Sequence, residues 1–137
     1  LTYEYFEGTY RRLPDFSTLD PRTTGIVSTI DLSQRLRDDS FALRFTGCIQ
    51  APVNGLYTFY LTSDEGSKLL INGAAVVNND GLHLVREKSG SVKLTPGRHR
   101  LQVLYFERFG GEALSVQYAG PGITRQEIPV EVLSVGC

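Results

Sequence analysis

The sequence predicts an all-β protein, an antiparallel β-sandwich, on three observations. First, apolar side chains recur with period two. Phe41, Leu43, Phe45 and Ile49 alternate with Ala42, Arg44, Thr46 and Cys48, and Tyr57, Phe59 and Leu61 alternate with Thr58, Tyr60 and Thr62. Leu101, Val103 and Tyr105, then Leu114, Val116 and Tyr118, repeat the pattern, as strands buried on one face do. Second, turn residues punctuate these runs at short intervals. Third, no stretch of useful length has apolar residues at helical spacing.

In chain order, the first 35 residues are the least regular and are expected to wrap the sandwich, with "TLDPRTTG" holding at most a short turn. The strand from Phe41 ends before the turn Pro52-Val53-Asn54-Gly55, and the strand from Tyr57 ends at Asp64-Glu65-Gly66. A further β-like run follows to Asn72-Gly73, and Asn78-Asn79-Asp80-Gly81 reads as a hairpin signal. Pro96-Gly97 opens the run containing Leu101, with His99 in phase with Leu101 and Val103 and so a strand residue near a sheet end. Gly110-Gly111 and Gly120-Pro121-Gly122 bracket the last strong strand. Many short strands so spaced describe a sandwich. The 137 residues suit one domain, residues 1–137, large enough to bury roughly two-thirds of the surface of the unfolded chain.

Composition excludes several classes. Fourteen Lys and Arg against fifteen Asp and Glu leave a net charge of −1, poor footing for nucleic acid. No apolar run approaches the roughly 20 residues of a membrane helix, so membrane insertion is not expected. Leu1 begins no charged, apolar leader, so a signal peptide is expected to be absent or removed. Cys48 and Cys137 are too few for a CxxC-type metal site. A disulfide between them, across the face opposite Phe45 and Ile49, is the natural reading for an extracellular or secreted chain. A free Cys48 with Cys137 pairing between chains is the alternative.

The chain reads as a binding module, not an enzyme. His83 and His99 are its only imidazoles, and no Ser elbow or Cys accompanies His83. Glycoside hydrolysis sets two acids across a sugar, about 5–9.5 Å apart, whereas neighbours such as Asp64 and Glu65 point to different sides of the chain. Two adjacent negative charges on one turn need another explanation. A hard cation supplies it: calcium takes six to eight oxygens from carboxylates, carbonyls and water. Asp64 and Glu65 offer carboxylates. "YFERFGGEAL" offers Glu107 and the backbone carbonyls of Phe109 to Gly111. The plainer reading is that Asp64 merely hydrogen-bonds its own turn.

"YFEGTY", "LPDFSTLDP", the run from Phe41 to Gly81, "PGRHRLQVLYFERFGGEALSVQYAGPG" and "IPVEVL" together resemble the PA14 domain family, in order and over nearly the whole chain. The resemblance implies a β-sandwich of PA14 type. Its members occur in toxins, glycosidases, adhesins and flocculins, so fold alone does not set function. In the lectin-like branch, two consecutive aspartates joined by a cis peptide bind Ca2+, which in turn binds vicinal sugar hydroxyls. Asp64 matches the first aspartate, while Glu65, one methylene longer, departs from the second. Glu107 falls near a position that flocculins fill with Asn, and Phe109 and Gly111 fall where carbonyls point at the ion. The resemblance implies a metal set of Asp64, Glu65, Glu107, Phe109 and Gly111, and a sugar set of Asp64, Glu65, Glu107, Phe109 and Gly110. The partners it implies are glycans of galactose, glucose, mannose or fucose type, with a homo-oligomer as one source of avidity. A non-catalytic accessory domain of a larger secreted protein or glycosidase is the alternative.

Overall fold

A computed structural model of the chain describes residues 1–137. Two antiparallel sheets face each other. The larger contains β1 (Thr2–Glu7), β2 (Thr23–Ile26), β3 (Phe41–Ala51), β5 (Ser67–Ile71), β6 (Ala74–Asn79) and β8 (Gly97–Glu107), in the order β2-β1-β3-β8-β5-β6. A short β11 (Leu133–Ser134) adds to β3. The smaller contains β4 (Gly55–Asp64), β7 (Arg86–Leu94), β9 (Ala113–Gly120) and β10 (Ile123–Glu127), in the order β10-β9-β4-β7. Two 3-10 turns, Phe16–Thr18 and Val130–Val132, are its only helical elements, so no helix is long and apolar enough to cross a membrane.

Period two explains the core. Phe41, Leu43, Phe45 and Ile49 of β3, Tyr57, Phe59 and Leu61 of β4, Leu69 of β5, and Leu101, Val103 and Tyr105 of β8 all point between the sheets and are buried. Each such side chain contributes about 1.5–3 kcal/mol by leaving water. Tyr57 keeps its hydroxyl satisfied by donating to the Val53 carbonyl at 2.6 Å, which also pins the turn before β4.

The opposite face of the larger sheet carries a second, smaller cluster of Phe6, Ala42 and Phe106, capped by Phe16. The rings of Phe6 and Phe16 meet edge to face, 5.2 Å between centroids. This is how the N-terminal region wraps the sandwich. It is more regular than its sequence suggests, because β1 lies beside β3 and β2 beside β1. The alternation in β1 is masked: Tyr5 faces the main core while Phe6 is buried outside it, so apolar residues fall on both faces.

Cys48 and Cys137 are bridged, with Cα atoms 5.2 Å apart. The pairing lies within the chain, on the β3 face away from the core, and Arg98 holds the tail by donating to Ser134 Oγ at 3.0 Å and to the Gly136 carbonyl. His99 lies on β8 as expected, opposite Ile49. Its Nε2–H donates to the Thr95 carbonyl at 2.8 Å, which leaves Nδ1 to accept from Asn72 Nδ2 at 3.0 Å.

The connection at Asn78-Asn79-Asp80-Gly81 is not a hairpin. β6 belongs to the larger sheet and β7 to the smaller, so the chain crosses between sheets there. The Asp64-Glu65-Gly66 turn (β4 to β5) and the loop from Arg108 to Glu112 (β8 to β9) are also crossovers. In strand register, Asp64 faces Ala113, Ser63 faces Arg86 and Phe41 faces Glu107. All three crossovers therefore gather at one end of the sandwich.

Candidate functional site

That end is built from the inside. Ser63 and Ser67, both fully buried, share a hydrogen bond at 2.6 Å between hydroxyls, and Ser63 donates to the Glu65 carbonyl at 2.7 Å. The Tyr105 hydroxyl donates to the Asp64 carbonyl at 2.5 Å. Asn79, also fully buried, donates to the Leu61 and Arg86 carbonyls at 3.2 and 2.8 Å and accepts from Arg86 Nε at 2.8 Å, tying the third crossover to the first. Gly66 is required for space: a Cβ there would meet the Phe106 ring and sit 2.7 Å from Asp80 Oδ1. The turn's carbonyls are thus satisfied by Tyr105 and Ser63, while its carboxylates meet the second loop at Gly111 and Arg108. The Asp64–Glu65 peptide bond is cis, the arrangement the resemblance implies.

Asp64, Glu65 and Glu107 lie at this end, close enough for the first two charges to act on Glu107, but the carboxylates whose oxygens fall within 4.8 Å of a Glu107 oxygen are those of Asp39 and Glu112. Asp64 is 6 % exposed, Glu65 7 % and Glu107 0 %, a depth at which carboxylates are rarely left unpaired. Yet none is in an ion pair: the arginines that form them serve Glu4, Glu7, Asp38 and Glu87. Glu107 Oε1 receives only a long contact from the Tyr105 hydroxyl, 3.4 Å, and Glu107 Oε2 is buried without any partner. A buried polar atom so orphaned is costly unless something not yet bound satisfies it.

The second loop meets the first. The backbone N–H of Arg108 donates to Glu65 Oε2 at 2.6 Å. The extra methylene of Glu65 thus lets its carboxylate reach the loop backbone. Gly111 lies against Asp64, where a Cβ would stand 3.4 Å from Oδ2, and Gly110 turns the loop with φ of 94°. Phe109 is 65 % exposed, with the Arg108 guanidinium 5.9 Å from its ring centroid, so it does not anchor the loop by burial.

Two further acids join them. Carboxylate oxygens of Asp39 and Glu112 lie within 4.8 Å of each other and of one from Glu107. Neither was visible from motif spacing. Asp39 arrives because β3 pairs with β8, which sets Phe41 opposite Glu107. Glu112 follows directly on Gly111 in the second loop. Local sequence offered no signal for Asp39, because its place depends on strand pairing.

Electrostatics follow from this crowding. Burial, then the charges of Glu65, Asp64, Glu112 and Asp39, push the Glu107 carboxyl up to about 8. Burial also raises the Asp64 carboxyl, partly offset by His83. Without metal, folded Glu107 therefore holds its proton more tightly than the unfolded chain, whose ordinary value is 4.5. Its contribution to stability is complete below about pH 4.5 and is lost as pH rises through about 8. In EDTA, the melting temperature of the wild type should fall across this window. Glu107→Gln, which cannot ionise, should flatten that slope. Equal slopes for the two proteins in thermal melts from pH 4.5 to 8.5 would refute the assignment.

Other places offer less. A groove of about 290 Å³ is lined by residues that include Ile30, Leu114, Val116 and Ile128, with Asp31 and Glu127 as its acids. Asp31 is already satisfied by Thr29, Ser33 and Gln34. The ring nitrogens of His83 lie 2.8 and 2.7 Å from the carbonyls of Asn79 and Leu84, so the ring is held by loop backbone rather than beside a nucleophile.

Architecture and site together define the class: a two-sheet β-sandwich domain with an acidic end built on inter-sheet crossovers. The chain belongs to the PA14 domain family, whose model matches residues 1–131. The anti-sigma-I factor RsgI3 of Acetivibrio thermocellus is 21% identical over 97 residues, covering 70% of this chain and 15% of that protein. An anti-sigma factor domain-containing protein from Clostridium clariflavum superimposes with a TM-score of 0.80 at 27% identity, covering 98% of this chain and 47% of that one. A PA14 sugar-binding domain from an RTX adhesin superimposes with a TM-score of 0.81 at 18% identity, covering 99% of this chain and 98% of that one. The chain thus spans under half the length of both anti-sigma factor relatives.

Proposed function

We propose that this domain binds glycans through a calcium ion held by Asp64, Glu65 and Glu107, with carbonyls of the Phe109–Gly111 loop completing the set. The observation that carries this reading is the buried, unpartnered Glu107 Oε2 beside Asp64 and Glu65, with no arginine or lysine paired to any of the three. The donor set is all oxygen, which suits a hard cation. Calcium supplies positive charge and open coordination positions that a pair of sugar hydroxyls can fill in place of water. The protein's own part is to fix the donors before binding: Tyr105 and Ser63 hold the turn by its carbonyls, and Arg108 N–H orients Glu65.

The ligand is a glycan with a free vicinal diol of galactose, glucose, mannose or fucose type, because two adjacent ring hydroxyls reach one ion without distortion. Gly110 and Phe109 border the sugar, and the exposed Phe109 ring offers a flat apolar face to its C–H groups. Phe109→Ala should weaken glycan binding several-fold and leave the melting temperature unchanged; a large loss of stability with intact affinity would reverse that role. A single shallow site binds weakly, so several copies in an oligomer or on a surface supply avidity. The Cys48–Cys137 bridge supports an extracellular setting, where disulfides persist. The sugar-binding adhesin domain of the same fold supports the ligand class.

Calorimetric titration or a glycan array, run with calcium and again with EDTA, tests the reading. Binding that requires calcium supports it, and equal binding in both conditions overturns the metal mechanism. The anti-sigma factor relatives support a second reading, a non-catalytic accessory domain within a longer protein. Absence of glycan binding in either condition would favour that one.

A further inference from the structure

We propose that Asp39, Glu107 and Glu112 form a second divalent-cation site, adjacent to the one at Asp64 and Glu65 and sharing Glu107 with it. Three carboxylate oxygens, one from each residue, lie within 4.8 Å of one another, a spacing that a single calcium bound at about 2.3–2.6 Å from each can span. A cluster of acids alone would be unremarkable on a surface. Here one member is not on the surface: Glu107 is 0 % exposed, and its Oε2 has no hydrogen-bond partner. Asp39 is exposed and Glu112 half-buried, so the site opens to solvent on one side, where water completes the coordination.

The basic residues nearest in sequence do not neutralise it. Arg37 is paired with Glu7 at 3.7 Å and donates to the Ser40 carbonyl at 2.5 Å. Arg35 is directed to Asp38 at 3.5 Å, and Arg108 lies over the Phe109 ring. The charges of Asp64, Glu65, Asp39 and Glu112 all act on Glu107 in the same unfavourable sense. One divalent cation cannot balance five carboxylates; a second leaves only about one negative charge in excess. Glu107 is suited to bridge, with one oxygen near the Tyr105 hydroxyl that also binds the Asp64 carbonyl, and the other without a partner. The ligand class is a hard divalent cation, and calcium fits three carboxylates plus water without the strict octahedron that magnesium demands.

The role of Glu107 in the first site rests on the glycan-binding reading above, and the test separates the two. The 137-residue chain is stripped with EDTA and titrated with calcium chloride alone by calorimetry. Bound metal is counted by mass spectrometry after desalting into calcium-containing buffer. Wild type should bind about two ions per chain, and Asp39→Asn/Glu112→Gln about one. Asp64→Asn should also bind about one, that one being lost when all three substitutions are combined. Neither substituted acid of the pair is buried, and circular dichroism confirms that the variants fold. One ion in wild type, lost in Asp64→Asn and kept in Asp39→Asn/Glu112→Gln, overturns the second site and leaves the first. The reverse pattern upholds the site proposed here and removes the metal basis of glycan binding. One ion lost in both variants means a single shared ion and overturns a separate site, as does no binding at all.

Discussion

If the proposed site is correct, Asp64→Ala should abolish calcium binding and glycan binding together while the sandwich stays folded. Asp64 ends β4 with its carboxylate against Gly111. What the fold takes from this residue is its backbone carbonyl, the acceptor for the Tyr105 hydroxyl, and alanine keeps that carbonyl. Losing residues that merely orient a metal ligand costs about 10–100-fold in affinity, so losing a ligand should cost at least the upper end of that range. In EDTA the variant should be no less stable than wild type, because one negative charge has left the buried surroundings of Glu107. Calorimetry with calcium, then with sugar, and a thermal melt in EDTA read the three effects separately. Retained sugar binding would refute the metal mechanism, and an unfolded variant would show that the carboxylate supports the fold.

Removing the disulfide has the largest expected effect on stability. Cys48→Ala/Cys137→Ala opens a loop with a sequence separation of 89 residues. The chain-entropy model gives up to about 4–5 kcal/mol for such a loop, and natural bridges return about 2–5 kcal/mol when removed. For a chain of this length that is a fall of roughly 10 °C in melting temperature. The tail should loosen first, since β11 pairs with β3 only at Ile49 and Cys48, and hydrogen exchange at Leu133 and Ser134 should quicken before the rest. On non-reducing gels the wild type should run as a monomer with no titratable thiol. A dimer band would place the bridge between chains.

The strands were legible where one face meets the core and the other meets water. β4 and β9 come nearest to that condition and announce themselves by alternation, and β3 and β8 still alternate although Ala42, Cys48 and Phe106 are buried on their outer face. β7 does not: "REKSGSVKL" is an edge strand, mostly exposed, whose polar and glycine residues carry almost no apolar signal. β1 fails in the opposite way, with aromatics buried on both faces because Phe16 covers the outer one. The Asn78–Gly81 turn misled because a hairpin and a crossover use the same turn residues, and only the sheet joined by the next strand tells them apart. The same limit applies to the site. Asp64, Glu65 and the second loop could be read from neighbouring residues, whereas Asp39 enters only through the pairing of Phe41 with Glu107. Tyr105, read as a core residue, also holds the Asp64 carbonyl from beneath, a role that no spacing rule contains.

The position of the bridge on β3 sets where a mechanical load would enter the domain. Leu1 packs beside Gly47, and Cys137 is bonded to Cys48, so both ends of the described chain meet β3 at neighbouring positions. Phe41, opposite Glu107, is seven residues away along the same strand, roughly 23 Å at the usual rise. Tension from a tether at either end would be received by an inner strand flanked by β1 and β8, with the covalent bond taking the pull at Cys137. The acidic crossovers lie at the other end of that same strand, where Phe41 pairs with Glu107. If the proposed site grips a glycan, its pull against the tether would run lengthwise through the larger sheet, loading its hydrogen bonds together rather than peeling them one at a time.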